Sequence, residues 1–320
     1  MENGDIIEHS NKEVVSRIKE RQEDPDLACG YHRMTYALMM AGYFINPKKV
    51  YRLMKEHQLL LPKPKKQTKN YARYRTVTPK GPLEVFEMDI KMVWCTQHRR
   101  HAQVLTVLDV FTRSVIYWET GYNMKQDQIL NAWRLIIEHV LQPKGINSGI
   151  DIEVRNDNGP QFSAKRLREF FKENGLNHVF THPYTPQENG HVESFHAILS
   201  QTLNTYEFWS IEDLETRLKL FYDNYNNYRI HASIANLPPN VFWQLWNQNK
   251  IQRIELTKRK VRFKLLVSHQ ELSGNKSLRE VPCFSFSDLD GRETEYEKVD
   301  RPITLLKQPS VQKSPSVVPC

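Results

Sequence analysis

The sequence predicts an α/β fold in which a mixed five-stranded sheet with flanking helices lies between a helical N-terminal segment and a small β-rich C-terminal region. The chain has 320 residues, 39% of them hydrophobic and 26% charged, which is enough for two or three domains with buried cores. Residues 84–121 hold three segments rich in Val, Ile, Phe, Trp and Tyr with short connections, and strand and helix signals alternate after them. Before residue 60, apolar residues recur at helical spacing instead.

Residues 1–60 are predicted to form a helical domain that binds DNA. Helices are expected over Asn11–Glu23, Arg33–Met40 and Pro47–His57, with Asn46 as the N-cap of the third and Pro47 in its first position. A short turn followed by a capped helix with a basic outer face is typical of a helix-turn-helix. A small helical hairpin with a solvated lysine face is the alternative. The basic residues expected to face DNA are Lys48, Lys49, Arg52 and Lys55.

Residues 61–80 are predicted to be a basic linker. Pro62, Pro64 and Pro79 break helices here, and the segment has no acidic residue. Residues 1–80 together hold 16 lysines and arginines against 9 acidic residues, which favours a polyanionic partner. We expect the linker to contact DNA phosphates rather than to be a plain flexible spacer. The phosphate-contacting residues expected here are Lys63, Lys65 and Lys66.

Residues 81–250 are predicted to form the sheet and its flanking helices. The first three predicted strands form an antiparallel meander, and a segment of helical spacing over residues 126–141 separates them from the last two. Ser163 is expected to cap a helix between those last two strands. This order of elements is that of a ribonuclease-H-like fold. The predicted strands are Glu84–Trp94, His101–Val110, Ser114–Gly121, Ile150–Asp157 and Asn177–Thr181.

Residues 251–307 are expected to be a small β-rich region, and residues 308–320 are expected to be a disordered tail.

The remaining features exclude several classes of protein. No apolar run approaches the ~20 residues that cross a bilayer, and the polar N-terminus does not resemble a signal peptide. The four cysteines form no CxxC pair, which disfavours a disulfide scaffold or a zinc finger. A cytoplasmic location is therefore predicted.

Three acidic residues lie where this topology would bring them together. Asp89 lies within the first predicted strand, Asp157 closes the fourth, and Glu193 opens a helix. Since adjacent strands are about 5 Å apart, acids on the first and fourth strands can meet if those strands pair, and a nearby helix can add the third. Such a cluster suits Mg²⁺ or Mn²⁺, and two such ions about 4 Å apart suit displacement at phosphorus. The second and third acids are separated by 35 residues.

Other acidic residues compete with these three. Asp109, near the end of the second strand, could cap a turn, and Asp151 precedes its strand and is expected to be solvated. Glu188 would give a different spacing. Glu87 has the same face parity as Asp89 but lies nearer the start of the strand.

The acidic triad and its surrounding segments resemble the D,D(35)E (DDE) catalytic core of retroviral-type integrases and bacterial transposases. The local segments are most similar to the insertion-sequence-3 (IS3) type of transposase, its OrfB product. The resemblance covers about residues 29–245. The segments that carry it are Asp157–Phe162, Asn189–Phe195, Tyr225–His231, Leu237–Pro239 and, in the helical domain, Val50–Lys55.

The resemblance implies a metal-dependent DNA transposase that cleaves element ends and transfers the freed strands. It implies that Asp89, Asp157 and Glu193 are catalytic and hold two Mg²⁺ ions, with Mn²⁺ as a substitute. The implied partners are double-stranded DNA, as terminal inverted repeats and target, further copies of the chain, and an upstream OrfA-type polypeptide. Such a protein would associate with the bacterial nucleoid. A decayed DNA-binding relative and a ribonuclease-H-like nuclease are the alternatives.

Two departures from the family pattern are visible. Many of these proteins carry Lys or Arg seven residues after the glutamate, and this chain has Ser200 there. We therefore expect the basic contact to terminal DNA to be missing or moved to His196. The zinc-binding domain of retroviral integrases is also absent, since only Cys29 precedes the core, which favours the bacterial type.

Overall fold

The computed structural model describes residues 8–62, 78–144, 152–181, 189–257, 260–273 and 284–285. No helix in these ranges is long and apolar enough to cross a membrane. Several residues named above lie outside the described ranges. They are Lys63, Lys65, Lys66, Asp151, Glu188 and the residues of the tail at 308–320.

Three helices form the N-terminal unit: α1 (Asn11–Glu23), α2 (Tyr31–Met40) and α3 (Pro47–Glu56). Asn46 is the N-cap of α3, since its side chain accepts the N–H of Lys48 at 2.9 Å, as predicted. Gly42, two residues after the end of α2, has a φ of +95° that glycine adopts without steric cost. The N–H of Tyr43 then bonds to the carbonyl of Leu38 at 3.0 Å, which turns the chain towards α3.

The central sheet confirms the predicted five strands. Strands β1, β2 and β3 form an antiparallel meander, β4 pairs in parallel with β1, and β5 pairs in parallel with β4. The order β5-β4-β1-β2-β3 places β1 in the middle, and this mixed sheet confirms the ribonuclease-H-like prediction. The strands are β1 (Val85–Cys95), β2 (Arg100–Asp109), β3 (Val115–Gly121), β4 (Ile152–Asn156) and β5 (Leu176–Phe180).

Helices cover both faces of the sheet. Phe86 and Met88 pack into the core on the α4 side, whereas Val93 and Cys95 pack against α7 and α8. Because side chains alternate along a strand, Asp89 is directed to the α7 side. The helices are α4 (Gln126–Ile136, continued by a π turn at Ile137–Leu141 and a 3₁₀ turn at Gln142–Lys144), α5 (Pro160–Ser163), α6 (Lys165–Glu173), α7 (Gly190–Leu203), α8 (Ile211–Asn227) and α9 (Pro239–Asn247).

The expected N-cap at Ser163 is wrong. Pro160 begins a separate one-turn helix, α5, of which Ser163 is the last residue. The Ser163 hydroxyl therefore donates to the carbonyl of Pro160 at 3.3 Å, and Ala164 stands at the N-cap of α6 without a side-chain bond.

A two-stranded sheet follows the core. β6 (Ile251–Thr257) and β7 (Lys260–Leu265) pair antiparallel, and a 3₁₀ turn follows at Gln270–Leu272. A two-residue strand, β8 (Phe284–Ser285), pairs in parallel with β3 and extends the central sheet. The C-terminal region is thus β-structured where it is described.

The N-terminal unit packs directly on the core. Met40 of α2 belongs to the same buried cluster as Phe111 and Val241. Asp26, between α1 and α2, is 2% exposed and its carboxylate contacts Arg217 and Asn224 of α8. Both an apolar cluster and a buried ion pair therefore join the two parts.

Candidate active site

The pairing of β1 with β4 brings two of the predicted acids side by side. The register aligns Phe86 with Val154 and Glu87 with Arg155. Continued by two residues, the same register places Asp157, directly after the end of β4, beside Asp89. Neighbouring strands are about 5 Å apart, so the two carboxylates can serve one site.

The loop that follows β4 holds Asp157 by local hydrogen bonds. The Asp157 carboxylate accepts the N–H of Gly159 at 3.0 Å, and the Asn158 amide donates to the carbonyl of Thr181 at 2.9 Å. A Cβ atom at Gly159 would lie 3.0 Å from Asp157 Oδ1 and 2.6 Å from Gln161 Nε2, so a larger residue would displace the Gln161 side chain and crowd the Asp157 carboxylate. The turn predicted from the Asn-Gly-Pro segment thus positions an acid.

Helix α7 brings the third acid, Glu193, to the same face of the sheet. Glu193 lies in the first turn of α7, as predicted. Burial raises its pKa, and the negative charge of Asp89 raises it further. This electrostatic effect indicates that the two carboxylates are neighbours.

The first turn of α7 is bonded to β1 by a buried glutamate. Glu87 Oε2 accepts the N–H of His191 at 2.9 Å and that of Val192 at 2.8 Å. Burial raises the pKa of Glu87 to about 7, although these two bonds and the charges of Arg113 and Arg155 lower it. Burial and the same two arginines lower the pKa of His191 to about 3, so its imidazole is neutral near pH 7.

Two further side chains of α7 differ from a simple DNA-contacting role. His196 Nδ1 lies 3.2 Å from Asp89 Oδ2, and the His196 side chain is 12% exposed. The Ser200 hydroxyl donates to the carbonyl of His196 at 2.6 Å and is therefore turned into its own helix.

Lys91 is the basic residue of β1 nearest to Asp89, and it lies two residues after Asp89 on the same strand face. Burial lowers the pKa of Lys91, whereas the charge of Asp89 raises it.

The donor chemistry of this site fits a hard divalent cation. Carboxylate oxygens are the ligands that Mg²⁺ and Mn²⁺ prefer, and the repulsion between Asp89 and Glu193 is of the kind that a bound cation relieves. Within the described ranges, no three His, Cys, Asp or Glu side chains are already gathered closely enough to hold a metal ion. A metal would therefore have to draw the carboxylates together.

Asp109 is a structural residue, as one of the alternatives anticipated. Its carboxylate accepts the N–H of Leu83 at 3.0 Å and the N–H of Thr112 at 2.8 Å, and it is fully buried. One oxygen caps the turn after β2 and the other holds the residue two positions before β1, so both oxygens are used in structural bonds.

The predicted basic face of α3 is exposed. Lys48, Lys49, Arg52 and Lys55 all face solvent, and Arg52 lies 3.7 Å from Glu56. Val50, Leu53 and Met54 on the opposite side are buried among the helices of the N-terminal unit. The arrangement leaves the basic side available to a ligand.

Sequence reasoning weighed Glu87 only as a rival to Asp89 and did not single out Lys91. Because side chains alternate along a strand, residues 87, 89 and 91 share one face of β1. What the sequence does not show is that α7 begins beside Glu87, a contact that spans 104 residues of chain.

Family models match most of the described chain. Residues 79–186 match a model described as integrase core domain, and residues 174–239 match a second model with the same description. Residues 8–67 match a model described as HTH-like domain. These matches agree with the division into a helical unit and a catalytic-type core.

Several curated proteins from bacterial insertion elements are similar to this chain. An uncharacterized 39.2 kDa protein of element IS476 from Xanthomonas euvesicatoria is 26% identical over 67% of this chain and 60% of its own length. An uncharacterized 31.7 kDa protein of IS407 from Burkholderia multivorans is 25% identical over 73% and 82%. InsK, named as a transposase of IS150 in Escherichia coli, is 26% identical over 71% and 81%. The predicted resemblance to insertion-sequence transposases is confirmed.

Solved structures of retroviral integrases are also similar to this chain. A simian T-cell lymphotropic virus intasome has a TM-score of 0.45 and 15% identity, covering 78% of this chain and 79% of that chain. The HTLV-2 integrase catalytic core domain in complex with magnesium has a TM-score of 0.39 and 17% identity, covering 52% and 98%.

Proposed function

Because the chain belongs to the integrase core domain family and carries an HTH-like domain before that core, we propose that it is a transposase that cuts the ends of a DNA element and joins them to a target DNA. The observation that supports this proposal is the parallel pairing of β1 with β4, whose register brings Asp89 beside the end of β4 where Asp157 lies. The charge of Asp89 also raises the pKa of Glu193 on α7. Such a group of acids on a ribonuclease-H-like sheet suits displacement at phosphorus.

Asp89, Asp157 and Glu193 would hold two Mg²⁺ ions, for which Mn²⁺ would substitute. When bound, such ions supply activation of the attacking oxygen and stabilisation of the leaving oxygen. The chain itself supplies position: the β1–β4 register sets the two aspartates, and the bond from Glu87 to the start of α7 sets the glutamate.

The reaction consists of two displacements. In the first, water attacks the phosphodiester at an element end, the bond from phosphorus to the 3′ oxygen breaks, and the products are a 3′-hydroxyl and a 5′-phosphate. In the second, that 3′-hydroxyl loses its proton and attacks a target phosphodiester, whose own 3′ oxygen leaves. His196, which was expected to take over the contact to terminal DNA, is 12% exposed and contacts Asp89. In this scheme it would orient Asp89, and DNA would reach only its exposed edge.

The remaining parts of the proposal concern assembly. The N-terminal helices would bind the terminal inverted repeats, and the linker lysines Lys63, Lys65 and Lys66 would contact phosphates nearby. Two ends must be joined to one target, so we propose that several copies act together on DNA at the bacterial nucleoid, with an upstream OrfA-type polypeptide as a further partner.

The direct test uses a labelled duplex taken from the DNA that flanks the gene. We expect the full chain to nick this duplex in Mg²⁺ but not in EDTA, and to join a pre-cut 3′-hydroxyl end to a plasmid. Binding without nicking would instead identify a decayed DNA-binding relative. Nicking without joining would identify a nuclease. A scrambled duplex of equal length is the control for end recognition.

The basic face of α3 gives a second prediction. Replacing Lys48 and Arg52 together with alanine is expected to weaken binding to the end duplex and to lower the slope of log affinity against log salt by about 2, because each lysine or arginine on a phosphate contributes about one unit. Fluorescence anisotropy over a range of KCl concentrations measures both quantities.

The matched control removes the same charge from the same unit. Lys12 and Lys19 are exposed on a different helix, α1, and their double alanine variant is expected to keep the wild-type slope. An equal loss in both double variants would mean that the unit binds DNA only through its net charge.

A further inference from the structure

The start of α7, the helix that carries Glu193, is capped by a side chain of β1, the strand that carries Asp89. The N-cap residue of α7, Asn189, makes no side-chain cap bond, and its Oδ1 atom is buried without a hydrogen-bond partner among the described residues. The N–H groups that an N-cap side chain normally satisfies, here those of His191 and Val192, are instead accepted by Glu87 of β1.

The position of Glu87 makes this bond more than a helix cap. Glu87 lies two residues before Asp89 on the same strand face, and the two N–H groups lie directly before Glu193 on α7. One buried side chain, 3% exposed, therefore connects the two elements that bring Asp89 and Glu193 together. The connection fixes both the height of the first turn of α7 along the strand and its rotation about the helix axis.

We propose that Glu87 is a positioning residue that sets the place of Glu193 beside Asp89, and so the affinity of the site for its divalent cation. The inference rests on the proposed function in that it takes the acids as cation ligands. Ligand geometry must be held within about 0.5 Å, and loss of a partner that orients a ligand typically costs about 10–100-fold in metal affinity or activity.

Three substitutions separate positioning from charge. Glu87→Gln keeps the length of the side chain and an oxygen acceptor but removes the charge. Glu87→Asp keeps the charge but is one methylene too short to reach both N–H groups at 2.8–2.9 Å. Glu87→Ala removes both. If Glu87 acts by position, the affinity for Mn²⁺ should be highest in the wild type, lower in Glu87→Gln, and lowest in Glu87→Asp and Glu87→Ala.

Asp109 provides the matched control. It is also a buried carboxylate that accepts two backbone N–H groups, but it caps the turn after β2 and its strand position faces the α4 side of the sheet. Asp109→Asn is expected to lower the melting temperature without changing the site. The comparison distinguishes a loss of stability from a loss of position.

The experiment measures three quantities on the full chain. They are hydrogen exchange of the peptides that contain His191 and Val192, Mn²⁺ binding followed by electron paramagnetic resonance, and the Mg²⁺ concentration for half-maximal nicking. Glu87→Ala and Glu87→Asp are expected to exchange faster at the start of α7 and to bind Mn²⁺ about 10–100-fold more weakly, while Glu87→Gln stays within a few-fold of wild type.

Three outcomes would overturn the proposal: wild-type Mn²⁺ affinity and exchange in Glu87→Asp, better retention in Asp than in Gln, or an equal change in Asp109→Asn. The second would make Glu87 a charge in the site rather than a positioning residue. Hydrogen exchange and Mn²⁺ binding do not depend on DNA cleavage. A wild-type chain that fails to nick DNA would therefore count against the proposed function. The hydrogen exchange and the Mn²⁺ affinity would still decide the role of Glu87.

Discussion

Asp157→Asn is expected to abolish end cleavage and joining while leaving DNA-end binding intact. Asparagine has the shape of aspartate, and its Oδ1 atom can still accept the N–H of Gly159 that now bonds at 3.0 Å, so the loop after β4 should keep its conformation. What is lost is a negative charge and a ligand for a hard cation. Removal of a single group that stabilises transition-state charge costs about 10²–10³-fold in rate in other enzymes, and we expect at least that loss here.

The measurement is single-turnover nicking of the labelled end duplex and joining of a pre-cut end, with anisotropy for binding. Asp127→Asn is the matched control, because Asp127 is an exposed aspartate that pairs with Arg166 at 2.8 Å on the other side of the sheet. It is expected to nick and join at the wild-type rate. Retained joining by Asp157→Asn would remove Asp157 from the site.

The sequence predicted the elements that local signals define. The enrichment in Val, Ile, Phe, Trp and Tyr placed Asp89 within β1, and the predicted end of β4 at Asp157 lies one residue beyond the observed end at Asn156. Glu193 lies in the first turn of α7, as predicted. These signals are short-range, and they were sufficient to predict the fold. The assignment of Asp89, Asp157 and Glu193 as the site also used the family resemblance and stays a prediction.

Contacts between distant segments could not be predicted in the same way. Whether a buried glutamate such as Glu87 is a ligand, a cap or a strand-end residue depends on which helix packs against it, and α7 follows it by about a hundred residues. At Ser163 two local solutions competed, and the proline at position 160 decided the outcome by starting its own helical turn. Packing between distant segments determined the first outcome, and a local choice between two helix starts determined the second.

Asp26→Ala is expected to be the most destabilising single substitution considered, and it tests whether the N-terminal unit and the core fold together. The Asp26 carboxylate accepts bonds from the Arg217 guanidinium and from Asn224 Nδ2, the latter at 2.9 Å, and its carbonyl accepts a bond from Arg229. Alanine would leave Arg217, 4% exposed, with a buried charge and no carboxylate. Removing one partner of a buried ion pair typically costs about 3–5 kcal/mol.

Urea unfolding followed by tryptophan fluorescence would measure this loss in the free energy of unfolding. Glu20→Ala is the control, because the Arg17–Glu20 pair at 3.0 Å is exposed on α1 and such pairs contribute little. A second comparison uses Arg217→Met with Asp26→Ala: since the double variant no longer buries an unpaired charge, it should be more stable than Asp26→Ala alone. If Asp26→Ala instead unfolds like the wild type, the ion pair does not hold the helical unit on α8, and the buried cluster that contains Met40, Phe111 and Val241 is sufficient to join the two parts.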